Sequence, residues 1–245
     1  IMMGGIGCIA YSSNGLKFRK ADEHNINRMA WYRGKDDWLF LGGAYDKTVA
    51  KLKLSIVPKK GDIHRTTETF SAIAQEGAKS NTKVVLFVGT NKSSVYPEFL
   101  PDDIVPSAKR YSSYFLDDLK NVPNLTIYNP MYDLLRLKKT EGILYFMTDT
   151  HWNKKGAFLA YSGFSKLLSL PIPQVEFQIG SPHSGDLIGI SELKNFPLHK
   201  EDNWDVIWKN KPALIEKEIP NEQTTTFGSA SIVYNNQPLS NQYIW

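Results

Sequence analysis

Residues 84–88, VVLFV, form an unbroken β-branched and aromatic run that Gly89 stops. Such a run is expected of a strand buried on both faces, which requires helices above and below it. Helical patterns flank it. Between residues 62 and 78 the apolar positions Ile63, Phe70, Ile73, Ala74 and Ala78 mark one helical face. Pro106 and Ser107 open a second helix, with Ala108, Tyr111, Tyr114, Phe115 and Leu119 on its apolar side. The runs 124–128 and 143–147 read as further strands, separated by a short helix over 131–137. Asn153 caps a longer helix whose face is Ala157, Ala160, Tyr161, Phe164, Leu167 and Leu168. An earlier short strand, 37–41, ends at Gly42 and Gly43. Alternation at this spacing calls for a central parallel sheet with right-handed crossovers, an α/β sandwich.

The 245 residues suffice for one large domain or two small ones, and 42% apolar with 22% charged residues describes an ordinary globular chain. A net charge of +4, with no basic cluster interleaved with aromatics, argues against a nucleic-acid partner. The single Cys8 excludes an intramolecular disulfide and a cysteine-based zinc cage. Residues 1–12 are small and apolar but fall short of the ~20 residues that cross a bilayer. They read as a short strand or ordered tail. Gly7 and Cys8 resemble a lipid-attachment site only faintly, because Gly5 stands where a large aliphatic is required. The initial isoleucine leaves open an upstream targeting segment. After residue 171 the periodicity weakens into loops or small hairpins. Residues 242–245 look like the start of another buried strand, so the chain is expected to continue past it.

The chemistry concentrates in Asp149-Thr150-His151-Trp152, at the carboxyl end of the strand expected over 143–147. This edge is where α/β proteins display reactive groups. An Asp two residues before a His can hold one imidazole nitrogen and leave the other free as a general base, given a nucleophile within reach. Spacing alone leaves two other readings open. His151 and Asp149 can be a helix-start histidine and a turn or cap residue, or Asp149, His151 and His183 can be metal ligands. His24, His64 and His199 lie in polar stretches and read as solvated surface residues.

Four segments together resemble the SGNH-hydrolase-like domain of the alginate O-acetyltransferase family of AlgX/AlgJ type. Residues 34–41, GKDDWLFL, are similar to that family's GKDGWLFL entry strand, with Asp37 where glycine is usual. Residues 84–101 carry a strand followed by Lys92 and the Val95-Tyr96-Pro97-Glu98 and Leu100-Pro101 elements of the family's loop. Residues 148–153, TDTHWN, followed by Gly156 and Ala157, match its TDTHWN…GA signature. Gly185-Asp186-Leu187 is similar to its short GDL element. The order and spacing agree over residues ~34 to 190, as far as the motifs reach.

The resemblance implies an SGNH-hydrolase-like three-layer sandwich over residues 34–245, incomplete at its carboxyl end, preceded by an extension of residues 1–33. It implies an O-acetyltransferase of the bacterial periplasm or cell envelope, acting on an exopolysaccharide or capsular polysaccharide. Asp149 and His151 would be two members of a Ser-His-Asp triad, and no cofactor or metal enters this chemistry. Lys92, Tyr96, Trp152 and Asp186 are the residues expected to bind substrate, and Trp38 is a weaker candidate that core packing also explains. The acetyl donor would be supplied by a membrane-bound O-acyltransferase. The family's serine follows a strand after the histidine, and here it is expected beyond Trp245. Ser229 and Ser231 are the in-chain imitations and read as ordinary loop serines. A carbohydrate acetyl-esterase, or a non-catalytic glycan-binding or assembly protein of an export complex, are the alternatives.

Overall fold

In the computed structural model, residues 26–209 are described in full and two later strands, Leu214–Glu218 and Ser231–Asn235, as backbone. The chain enters through an antiparallel hairpin, β1 (Trp31–Arg33) with β2 (Leu39–Leu41). The connecting turn places Asp37 at φ 61°, in the left-handed region. Aspartate tolerates that region better than most residues, and its carboxylate pairs with the Arg33 guanidinium. This accounts for the resemblance's usual glycine and for its replacement here. Ile26 and Tyr32, within the extension expected over 1–33, are buried in the main core.

Short helices α1 (Gly43–Asp46) and α2 (Thr48–Lys53) lead to the long α3 (Lys60–Lys79). Strand β3 (Val84–Phe87) follows, then α4 (Lys92–Val95), a 3-10 turn (Pro97–Phe99), α5 (Ser113–Leu119), β4 (Leu125–Tyr128) and α6 (Met131–Glu141). Strands β3 and β4 pair in parallel from Val84↔Leu125 to Phe87↔Tyr128. One face of this pair, with Leu86, Leu125 and Ile127, packs on Phe70 and Ala74 of α3 and Leu116 and Leu119 of α5. On the other, Phe87 and Tyr128 meet Phe164 of α7 (Lys154–Leu167), with ring centroids 5.5 and 6.1 Å away. Alternation of side chains across the pleat produces these two apolar faces. The result is a helix–sheet–helix sandwich whose parallel part, among the described residues, is two strands.

Antiparallel β5 (Val175–Ile179) and β6 (Trp204–Trp208) bracket α8 (Asp186–Ser191). The two later strands, β7 (Leu214–Glu218) and β8 (Ser231–Asn235), also pair antiparallel. Residues 242–245 and Ser229 lie outside the described residues.

Two sequence expectations are corrected. Residues 106–112 are turn and coil, and the helix begins only at Ser113, because the Ser107 N–H bonds the Leu52 carbonyl instead of a helical partner. Leu144, Tyr145 and Met147 are buried, with Ile143 and Phe146 half-buried, but residues 143–147 form no strand beyond one bridge, Tyr145 with Trp152. Side chains share the role of a neighbouring strand there with a single backbone bond from β2, the Leu39 N–H to the Met147 carbonyl at 2.9 Å. The Leu144 N–H donates to the Tyr96 hydroxyl at 2.8 Å and the Met147 N–H to Asp202 Oδ2 at 2.6 Å. Every buried backbone group needs a partner, and these are met without a sheet.

Candidate active site

Asn153 fixes where the loop ends and α7 starts. Its Oδ1 accepts the Gly156 N–H at 2.9 Å, the N-cap bond its position predicts. Its amide also donates to the Ile143 and Asp202 carbonyls, both at 2.8 Å. The five residues before it are thereby compressed into a tight turn. At the other end Thr148 joins the turn to residues 183–187. Its hydroxyl donates to the His183 carbonyl and accepts the Gly185 N–H, each at 3.1 Å, and its carbonyl accepts the Leu187 N–H. Gly185 is required by this approach: a Cβ there would lie 2.5 Å from Asp149 Cβ.

Held between these ties, Asp149 uses both carboxylate oxygens. Oδ1 accepts the His151 backbone N–H at 2.9 Å and stands 2.6 Å from His151 Nδ1. Oδ2 accepts the Asp186 N–H at 3.1 Å and lies 3.3 Å from His183 Nε2. Burial pushes the Asp149 carboxyl up, but the hydrogen bonds from His151, Asp186 and His183 outweigh it and hold its pKa at about 2. An ionised Asp149 can only accept, so Nδ1 of His151 carries the proton and Nε2 presents its lone pair. The His151 side chain is 74% exposed, and Nε2 bonds nothing among the described residues. A buried, oriented carboxylate beneath an open imidazole can take a proton from a hydroxyl and stabilise the cation that results.

Asp186 joins the pair through Thr150. Its Oδ1 accepts the Thr150 N–H at 2.8 Å and its Oδ2 the Thr150 hydroxyl at 2.5 Å, leaving Oδ2 3.7 Å from His151 Nδ1. Asp149, His151 and Asp186 thus present ligand-type atoms within 4.8 Å of one another. Those atoms are already committed to hydrogen bonds within the cluster, an arrangement suited to orienting an imidazole and not to a cation.

Lys92 and Tyr96, expected to bind substrate, are corrected by their burial. Lys92 is 4% exposed and lies under the turn, with Nζ 3.0, 3.1 and 2.6 Å from the carbonyls of Phe146, Met147 and Asp149. The Trp38 and Phe40 rings enclose it at 5.6 and 5.2 Å. Burial pulls its pKa down to about 7 against the upward influence of Asp149, Asp186 and Asp202. Its three carbonyl contacts place it to position the turn. Tyr96 is 4% exposed and spends its hydroxyl on Leu144. Trp152 is half-buried against Tyr145 and Phe87, and Trp38 is stacked on Phe99 in the core.

Two residues were missed. His183, considered only as a metal ligand, touches Asp149 and stacks on Phe146 at 4.1 Å; its place just before Gly185-Asp186 was the available signal. Asp202, 1% exposed, holds the Met147 N–H, and burial raises its pKa. Nothing in the sequence around it pointed to this role.

Comparison with known proteins bears on the family and the fold. The family described as "SGNH hydrolase-like domain, acetyltransferase AlgX" matches residues 32–227. A curated relative, the "Probable alginate O-acetylase AlgJ" of Pseudomonas aeruginosa, is 25% identical over 177 residues, which is 69% of this chain and 42% of that protein. The chain therefore spans less than half the length of that relative. Among solved structures, Bacillus cereus PatB1 with a sulfonyl adduct superposes with a TM-score of 0.55 at 16% identity, covering 84% of this chain and 65% of that one. Pseudomonas aeruginosa AlgX superposes at 0.50 with 18% identity, covering 79% and 50%. These likenesses identify the fold as SGNH hydrolase-like.

Proposed function

The chain belongs to the SGNH hydrolase-like, AlgX-type acetyltransferase family, and from that premise we propose that it transfers acetyl groups to hydroxyls of a bacterial exopolysaccharide or capsular polysaccharide. The observation that carries this reading is the Asp149–His151 contact of 2.6 Å with Nε2 left open to solvent. In the proposed sequence a serine hydroxyl gives its proton to His151 Nε2 while its oxygen attacks the acetyl carbonyl. The donor's leaving group departs with that proton, leaving an acetyl-serine and a neutral His151. A sugar hydroxyl then gives its proton to Nε2 and attacks the acetyl-serine. The serine oxygen recovers the proton as the acetylated sugar leaves. Asp149 stays ionised throughout and stabilises the imidazolium twice per turnover.

The serine is the member this reading still requires, and no described hydroxyl bonds Nε2. The setting proposed with it is the periplasm or cell envelope, with the acetyl group arriving from a membrane-bound O-acyltransferase. Among the described residues no helix is long and apolar enough to cross a membrane. The openness of His151 also admits water, which favours an acetyl-esterase as the second reading.

One experiment tests both. The full-length protein is given an artificial acetyl ester, and acetate release and acetyl-sugar formation are followed with and without an oligosaccharide acceptor. Mass spectrometry of the quenched reaction locates the acetylated residue. Transfer to sugar through an acetyl-serine supports the proposal. Acetate release that no acceptor diverts makes it an esterase, and absence of any acetyl-enzyme sinks the triad reading.

A further inference from the structure

The His151 side chain is 74% exposed, so packing does little to hold its ring, and hydrogen bonds must set the angle at which Nε2 meets a hydroxyl. Asp149 Oδ1 supplies one anchor, 2.6 Å from Nδ1. A second oxygen faces the same nitrogen: Thr150 Oγ1, at 3.2 Å. A threonine hydroxyl can donate or accept, and the protonated Nδ1 needs it to accept. Asp186 decides the matter. Its Oδ2 lies 2.5 Å from Thr150 Oγ1, and a carboxylate can only accept, so the hydroxyl proton points at Asp186 and the oxygen lone pairs turn to His151. The Nδ1–H is then shared between Asp149 Oδ1 and Thr150 Oγ1, as a three-centre bond.

Asp186 is itself firmly placed. Its Oδ1 accepts the Thr150 N–H at 2.8 Å, so both carboxylate oxygens are directed at Thr150. Its backbone N–H goes to Asp149 Oδ2 at 3.1 Å, and the next N–H, of Leu187, to the Thr148 carbonyl, also at 3.1 Å. The start of α8 is thereby tied to the turn on both flanks of Asp149. The same ties bring a second carboxylate to 3.7 Å from Nδ1, where its charge favours the imidazolium formed when Nε2 takes a proton.

We propose that Asp186 and Thr150 are positioning residues for acyl transfer: Asp186 turns the Thr150 hydroxyl so that its oxygen is a second acceptor for the His151 Nδ1–H. The role rests on the acyl-transfer reading, and it differs from the substrate contact that the Gly185-Asp186-Leu187 resemblance implies. Steady-state kinetics of the full-length protein on an acetyl ester with an oligosaccharide acceptor, beside unfolding midpoints, test it. Thr150→Val removes the hydroxyl at nearly constant shape. Asp186→Asn keeps an oxygen for the Thr150 N–H but puts an amide N–H against Oγ1, which turns the hydroxyl proton the other way. Each is expected to lower kcat about tenfold with KM within about twofold, the scale of one charge-assisted hydrogen bond that strengthens in the transition state. The double variant is expected to lose no more than either single one, because Asp186 acts through the hydroxyl. Thr150→Ser is expected to keep the wild-type kcat. A raised KM at unchanged kcat in Asp186→Asn makes Asp186 a substrate contact and overturns the proposal. Losses that multiply in the double variant, or full kcat in Thr150→Val, overturn it as well. His151→Ala in the same assay tells the two failures apart. If it is inactive while Thr150→Val is not, the positioning role alone falls; if it keeps full activity, the acyl-transfer reading falls with it. Should the valine variant not fold, Asp186→Asn set against wild type and Thr150→Ser carries the same division between kcat and KM.

Discussion

The two sides of the catalytic turn are built in opposite ways. Beneath it, most polar atoms are paired: Lys92 with three carbonyls, Asp202 Oδ2 with the Met147 N–H, Asn153 with a cap and two carbonyls, while Asp202 Oδ1 is buried without a hydrogen-bond partner among the described residues. Above it, His151 Nε2 has no partner among the described residues and the ring stands in solvent. Fixed donors and acceptors below keep the acid–base pair oriented at no further cost when reaction begins, while the free nitrogen above is what a substrate-side hydroxyl must find. The difference separates two kinds of residue. Changes above the turn should remove chemistry and spare the fold, whereas changes below should reach chemistry only through geometry or stability.

The largest expected effect comes from above. His151→Ala should lower kcat/KM on an acetyl ester by about 10³-fold, the scale of a lost general base, with an unfolding midpoint close to wild type because the side chain is exposed. Next comes Lys92→Met, below the turn. An ammonium has three N–H groups for its three carbonyls, and a thioether has none, so the turn should loosen and kcat fall about tenfold to a hundredfold with KM little changed. Wild-type pH dependence sharpens this. Burial lowers the Lys92 pKa from 10.5 to about 7, so between those values the unfolded chain binds the proton and the folded one does not. Stability should therefore rise with pH through that window. Activity should fall as pH rises through about 7, where the folded lysine loses its proton, because a neutral amine offers only two N–H groups to three carbonyls. Lys92→Met should show neither trend from this group; parallel behaviour in wild type and variant would break the comparison.

The sequence showed the upper side of the turn better than the lower. Asp149 and His151 meet across a single turn, and Asn153 caps the helix directly after it, so local spacing carried that information. Strands β3 and β4 were visible for the same reason, as short apolar runs stopped by turn residues. The lower side is assembled from afar. Lys92 bonds a carbonyl 57 residues away, and Leu144 and Met147 find partners 48 and 55 residues distant. An apolar run such as 143–147 is compatible with a strand or with a buried turn, and only those distant side chains decide between them. A lysine in a polar loop likewise reads as solvated until the Trp38 and Phe40 rings close over it.

Asn153→Ala tests the lower side through stability. It removes the cap on Gly156 and leaves the buried Asp202 carbonyl without its donor, whereas the Ile143 carbonyl keeps the Trp204 indole N–H at 2.8 Å. A loss of about 2–4 kcal/mol is expected from one cap and one orphaned acceptor, read from denaturant midpoints at unchanged slope. Activity below the transition should be retained far better than in His151→Ala.

The smallest effect is expected where the two sides meet. His183→Phe keeps the ring that stacks on Phe146 but removes the nitrogen 3.3 Å from Asp149 Oδ2. Asp149 retains three other hydrogen bonds, from the His151 backbone and ring and from the Asp186 N–H, all shorter than the 3.3 Å contact that is lost, so it stays ionised and kcat should fall only about threefold. Its signature is in acid. A carboxyl held at about 2, below its unfolded value, contributes stability at neutral pH that is lost as pH falls from about 4 through 2. Without His183 the folded value moves up toward the unfolded one, and the acid-dependent loss over that interval should shrink. Unfolding midpoints measured down the acid range for both proteins report it directly. An unchanged acid slope would mean that His183 serves Phe146 as a packing ring alone, and that Asp149 is held entirely by its own turn and by residues 185–186.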